Sequence, residues 1–244
     1  MRFPPRLQLA QSAKIVKSMS NRSLLEEQLE RMRRDWDERA RKNARHFVNT
    51  SRADWSDAEF FASGEKAVAE DILTDMTNIC QGKDPKAMRV LEIGCGAGRL
   101  TRALSNIFGE VHAVDVSGEM IARASAALTD RPHVRLYHNN GCDLSVVPNV
   151  EFDFAYSAIV FQHIPSREII ENYVREVARL LRPGALFKFQ VQGNLSAHSD
   201  PRDTWVGVSY SEEQAKALAL GCAFEPRYMH GAGNQYFWLW FFKA

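Results

Sequence analysis

From Met88 onward the chain alternates short apolar runs with helix-length segments. Strands are expected at 88–93, 110–114, 133–138, 152–158 and 185–191, and helices at 97–108, 117–129, 166–181 and 211–220. Such alternation demands parallel strands joined by right-handed crossovers, hence a sheet covered by helices on both faces. Two further runs, 223–230 and 235–242, are separated only by residues 231–234, a hairpin-length connection that ends the sheet in an antiparallel pair. Residues 237–242 read as a strand buried on both faces, whose outer side would offer a homodimer contact.

The first third is helical in pattern and strandless. Leu25, Leu29, Met32, Trp36, Ala40 and Phe47 recur at spacings of three, four or seven, one apolar stripe of a long helix over 22–47. Its other faces carry Glu27/Arg31, Asp35/Arg39 and similar acid-before-base pairs at i,i+4, each worth about 0.2–0.5 kcal/mol. The arginine run therefore reads as a solvated, paired face rather than a nucleic-acid patch. Ser56 and Glu59 have capping-box form, and Ala67, Ile72, Leu73, Met76 and Ile79 continue a helical pattern to Gly82. Three segments follow: a flexible basic tail over 1–21, an N-terminal helical cap over 22–82, and a main domain over 83–244. The tail reads as ragged sequence upstream of a second start at Met19, with an organelle-targeting peptide as the alternative.

Charge and cysteine content narrow the function classes. A net charge of +1 supplies no global field for gripping nucleic acid or an anionic membrane. Cys80, Cys95, Cys142 and Cys222 show no zinc-type spacing or disulfide framework, so a reducing, cytoplasmic setting is expected and no metal site is signalled. The longest apolar run, 236–242, is far shorter than the ~20 residues of a membrane-spanning helix.

The chemistry is announced by Glu92-Ile93-Gly94-Cys95-Gly96-Ala97-Gly98, which follows the first strand and opens a helix. Glycines there let a ligand approach main-chain N–H groups at a helix N-terminus. The second strand ends in Asp115, 21 residues after Gly94, matching the ~20-residue interval at which a carboxylate accepts both ribose hydroxyls. A dinucleotide fingerprint would need glycine or alanine at 99, where Arg99 stands.

This arrangement resembles motif I of the class I S-adenosylmethionine-dependent methyltransferases, and further segments follow in family order. Asn139-Asn140-Gly141-Cys142-Asp143-Leu144 looks like the family's G-D-A-x-x-L segment, with Asn140 in place of the usual Asp. The runs 152–157 and 160–165 look like its fourth strand and exit loop, Leu181-Arg182-Pro183-Gly184 like its turn into the fifth strand, and 236–239 like its last strand. The resemblance covers about residues 60–244. It implies a Rossmann-like α/β fold: a seven-stranded, mostly parallel sheet with an antiparallel last strand and a helical cap. It also implies S-adenosylmethionine as cofactor. Gly94, Cys95, Gly96 and Gly98 would line the methionine and ribose portion, with Ser157 at the end of strand four. Glu92 would orient the methionine ammonium, Asp115 would hold the ribose, Val116 and Met120 would flank the adenine, and Asn140 with Gly141 would hold its edge.

The acceptor is expected to be a small molecule. His163, on the loop leaving strand four, and His198, in the polar stretch after strand five, are the candidate general bases. Trp36, Phe47, Trp55, Phe60, Phe61, Tyr156, Phe161 and Trp205 are available to shape a partly apolar pocket. A non-catalytic cofactor-binding module and an RNA methyltransferase stay open as alternatives, although the tetrapeptide common to base-amine methyltransferases is missing from 157–165.

Overall fold

The computed structural model describes residues 5–197, 200 and 202–244, with side chains described from Ser23 onward. Seven strands form one sheet: β1 (Arg89–Ile93), β2 (Glu110–Asp115), β3 (Val134–His138), β4 (Phe152–Ser157), β5 (Leu181–Val191), β6 (Phe224–His230) and β7 (Phe237–Lys243). Their order is β3-β2-β1-β4-β5-β7-β6, with β7 alone running antiparallel to its neighbours β5 and β6. The helices are α1 (Pro5–Val48), α2 (Asp57–Asp71), α3 (Met76–Cys80), α4 (Arg99–Ile107), α5 (Gly118–Ala127), α6 (Arg167–Leu180) and α7 (Glu212–Gly221). Every strand and helix expected beyond Met88 is present, within a few residues at each end. No helix among the described residues is long and apolar enough to cross a membrane.

Strands β1 and β4 are neighbours at the centre, and the crossovers run outward from them in opposite directions. A doubly wound sheet opens a crevice beyond the carboxyl ends of its strands at such a reversal, so topology alone fixes the cleft there. The sheet is apolar on both sides because both are covered. Leu91, Ile93, Ala155, Phe187 and Phe189 pack toward α6 and α7, while Val90, Val111, Phe154 and Leu186 pack toward α4 and the end of the cap.

One expected turn is different. Residues 181–184 lie inside β5, where the register slips: Phe152 pairs with Leu181, but Phe154 pairs with Leu186. The extra residues loop out as a bulge, and Gly184 accommodates it with φ of +76°.

The helix expected over 22–47 lies within α1, which is interrupted at Asn43 (φ −169°, ψ 84°). Asn43 Oδ1 accepts a hydrogen bond from the His46 amide at 3.1 Å while its Nδ2 donates to the Ala53 carbonyl at 3.0 Å. The side chain thus caps a last separate turn that brings Val48 against Gly96. Helix α2 begins with the expected capping box of Ser56 and Glu59. Its far end is tied to the sheet by Tyr156, whose hydroxyl donates to Asp71 Oδ2 at 2.9 Å, and by Lys188, whose Nζ donates to the Asp71 carbonyl at 2.5 Å.

Candidate cofactor cleft

The cleft is built from strand ends and one cap helix. Glu92, Gly94, Cys95 and Gly96 come from β1 and its loop, Asp115, Val116 and Met120 from β2 and α5, and His163 from the β4 exit loop. All eight of these expected site residues line it. Trp36 and Phe47 of α1 form its outer wall.

The glycines are required by close approach. A Cβ on Gly94 would lie 2.2 Å from Val160 Cγ2, and one on Gly96 would lie 2.6 Å from Val48 Cγ2; both residues also have positive φ. Val160 follows Ile159, a β-branched residue at φ 58°. That conformation costs on the order of 1–3 kcal/mol and persists only where neighbours enforce it; here the Ile159 amide is held by Gln190 Oε1 at 3.0 Å.

Asp115 is 9% exposed and receives two backbone N–H groups, Gly96 to Oδ2 and Ser117 to Oδ1, both at 2.8 Å. Each carboxylate oxygen keeps a lone pair for a further donor. Burial outweighs these bonds and raises its pKa to about 6. Glu92, 2% exposed, accepts from Thr101 Oγ1 at 2.7 Å, and burial raises its pKa to about 7. Two buried carboxyl groups with spare acceptor capacity form a donor-seeking site: a diol suits Asp115 and an ammonium suits Glu92.

His163 is pinned by a polar chain. Gln190 Nε2 donates to Gln162 Oε1, Gln162 Nε2 donates to His163 Nε2 at 3.2 Å, and His163 Nδ1 donates to the Trp205 carbonyl at 2.5 Å. Both ring nitrogens are therefore engaged. Burial lowers its pKa to about 4, so the ring is neutral at pH 7. It stands between Trp36 and Trp205, at centroid distances of 5.3 and 5.0 Å. The free base expected of His163 is not what the geometry provides. His198 lies outside the described residues.

Four expected contacts are absent from the cleft lining. Ser157 is fully buried and donates to the Ile93 carbonyl at 2.9 Å, fastening β4 to β1. Gly98, at φ +83°, forms the N-cap of α4 and faces α5, where an added Cβ would lie 3.1 Å from Leu128 and 3.4 Å from Ala124. Asn140 is exposed, and its Oδ1 accepts from the Cys142 and Asp143 amides at 2.8 and 2.9 Å, an Asx turn that consumes the side chain locally. Gly141 is covered by Val116, 2.9 Å from the position of an added Cβ.

Asn139, Arg99 and Tyr173 line the cleft instead, although the sequence assigns none of them to it. The side chain at 139 enters because its neighbour at 140 turns out, an alternation that a motif alignment does not reveal. Trp55, Phe60 and Phe61 pack together with Ala97 behind the glycine loop, and Tyr156 and Phe161 belong to the cores on either side of the sheet.

An open α/β sheet with a glycine loop at its reversal and a carboxylate closing the next strand defines a nucleoside-binding fold. Residues 90–184 match the model of a methyltransferase domain family. Malonyl-[acyl-carrier protein] O-methyltransferase of Enterobacter lignolyticus (strain SCF1) is 32% identical over 124 residues, 49% of this chain and 45% of that protein. A ubiquinone biosynthesis O-methyltransferase of Bradyrhizobium diazoefficiens is 30% identical over 99 residues, 41% of this chain and 38% of its own. The chain thus spans under half the length of these curated relatives. Among solved structures, magnesium protoporphyrin IX methyltransferase from Synechocystis PCC 6803 with bound SAH superposes with a TM-score of 0.63 at 13% identity, covering 89% of this chain and all of the other. A SAM dependent methyltransferase from Aquifex aeolicus gives 0.55 at 18% identity, covering 78% and 100%. At such identities the likeness is one of fold. The family match and the solved structures support a class I S-adenosylmethionine-dependent methyltransferase, and S-adenosylmethionine is the cofactor of that family.

Proposed function

We propose that this protein transfers a methyl group from S-adenosylmethionine to a small-molecule acceptor in the cytoplasm. The observation that carries this reading is Asp115, oriented by the Gly96 and Ser117 amides at the mouth of a glycine loop. When bound, the cofactor supplies an electrophilic methyl group on its sulfonium, so the hard chemistry is its own. The residues have three tasks. Asp115 accepts the ribose hydroxyls, Glu92 receives the methionine ammonium, and Trp36, Phe47 and the held His163 exclude water and orient the acceptor. Positioning at a near-attack distance of about 3–3.5 Å accounts for ~7–11 kcal/mol of barrier in well-oriented reactions.

His163 acts as a positioning residue. Among the described residues, the titratable groups lining the cleft apart from Glu92 and Asp115 are Cys95, Arg99, His163 and Tyr173. Burial pushes the Cys95 thiol and the Tyr173 phenol upward, away from use as bases. The acceptor therefore brings a nucleophile that needs no proton removed by the protein, such as a carboxylate oxygen or a free amine. The O-methyltransferase names of the relatives support oxygen.

Incubation with S-adenosylmethionine and a panel of carboxylate, amine and phenol acceptors tests this, with S-adenosylhomocysteine as the readout. Turnover is expected with the carboxylates or amines ahead of the neutral phenols. Turnover restricted to neutral hydroxyls would contradict the base-free reading.

A further inference from the structure

A second concavity lies behind the glycine loop. Ala40 and Ala44 of α1, Ala97 of the loop and Ala126 of α5 form its floor, with Phe61 of α2 at its side. Alanine ends at Cβ, so the elements that meet here leave space where longer side chains would fill it. The trough has a volume of about 880 Å³, within the ~300–1,000 Å³ range of small-molecule sites. It shares no lining residue with the cofactor cleft: Gly96 faces the cleft, and Ala97, the next residue, faces the trough.

Four guanidinium groups reach this trough, Arg41 and Arg45 from α1, Arg102 from α4 and Arg123 from α5. Three of them are paired. Arg45 bridges to Asp57 and donates to the Trp55 carbonyl at 2.7 Å, while Arg41 and Arg123 share Glu119 at 3.6 and 2.8 Å. Arg102 differs. Its guanidinium carbon lies 4.7 Å from the centroid of the Phe61 ring, and among the described residues its side chain has no ion pair or hydrogen bond. Neither Asp54 of the trough nor Glu65 of the adjoining hollow pairs with it. A ring contact engages the charge and leaves the N–H groups unspent.

The lining fixes the chemistry of an occupant. A free, half-buried guanidinium suits a carboxylate, which it can meet with two parallel hydrogen bonds. The alanine floor and the aromatic side suit an apolar body. Since the other three cations are already paired, one negative charge is matched and a second is not.

We propose that this trough is a second ligand site, which takes an apolar molecule carrying a single carboxylate, with its chain along the alanine floor and its head at Arg102. The occupant touches the back of the loop whose front faces the cofactor cleft. It is therefore a bystander to methyl transfer, placed where it can stiffen the glycine loop.

Calorimetric titration of the full chain with octanoate, 1-octanol and acetate tests this, with and without saturating S-adenosylhomocysteine. Octanoate is expected to bind one site at least about tenfold more tightly than 1-octanol, which lacks the charge, and than acetate, which lacks the chain. Arg102→Gln should weaken octanoate about tenfold and leave 1-octanol within about twofold. Ala126→Trp, at an exposed position of α5, should fill the trough and weaken both. Octanoate binding should persist when the cleft is saturated with S-adenosylhomocysteine. No octanoate binding, binding no tighter than that of 1-octanol, binding that both variants leave unchanged, or displacement by S-adenosylhomocysteine would each overturn the proposal. If Ala126→Trp fails to fold, Arg102→Gln and the three wild-type affinities decide. Failure here leaves the cofactor reading intact, because that reading stands on the other cavity.

Discussion

Asp37 of the cap helix accepts a hydrogen bond from Ser117 Oγ at 2.6 Å across 80 residues of sequence, and the same oxygen accepts from the Glu119 amide at 3.1 Å. Ser117 is the N-cap of α5 and donates its amide to Asp115. One carboxylate on the cap therefore holds the turn that aims Asp115, and its negative charge sits at the N-terminus of α5, where it is favoured.

Asp37→Ala should cost about 1–2 kcal/mol, the loss of a capping and charge-assisted contact. Thermal unfolding would fall by roughly 2–8 °C for a domain of this size. Affinity for S-adenosylhomocysteine should drop severalfold as α5 loosens. An unchanged melting temperature together with unchanged affinity would show that the cap is not coupled to the cleft.

Cofactor affinity should rise with pH. Glu92 and Asp115 have pKa values raised by burial to about 7 and about 6, so the free protein holds protons there that the unfolded chain releases. The stability they contribute is present at acid pH and is lost as pH climbs through those values. A ligand that needs both groups ionised binds with proton release, weakly near about pH 5.5 and with a plateau near about pH 8. Titrations in buffers of different ionisation enthalpy check this; pH-independent affinity without proton release would contradict it.

Gly64→Ala should be destabilising by about 1–3 kcal/mol, because the added Cβ would lie 2.2 Å from the Arg99 carbonyl. Helix α2 would be pushed off α4. Denaturant unfolding measures the cost, and a neutral result would mean that the two helices pack differently.

Replacing His163 with Gln should lower kcat less than about tenfold, whereas removal of a general base typically costs about 10²–10⁴. The rate–pH profile should keep its shape, since a ring with pKa near 4 is already neutral. Disappearance of an ionisation between about pH 5 and 8 in the variant would restore the catalytic role first expected of it.

The legibility of the site followed backbone spacing. The place of Asp115 in the cleft was legible because strand, loop and helix lengths are fixed by the crossover, that of Glu92 because it stands near the end of β1, and that of Gly94 and Gly96 because close approach admits little else. Side-chain direction was harder to read. Asn140 matches the family position but spends its amide on the turn to Cys142 and Asp143, while Asn139 faces inward. Ser157 sits at the correct strand end but serves β1. Arg99 was informative in sequence only for what it excludes, since its partner Ser63 is 36 residues away on another helix. The cap pattern predicted helix; the break at Asn43 depends on the distant Ala53 carbonyl.

Titration of S-adenosylhomocysteine into the folded wild type and into Asp115→Ala, followed by calorimetry, reaches the central claim most directly. The account predicts one site per chain in the wild type. It also predicts an affinity at least about a hundredfold lower in the variant, from two lost charge-assisted hydrogen bonds of ~1.5–3 kcal/mol each. No heat with the wild type, or equal affinity in the two proteins, would contradict it.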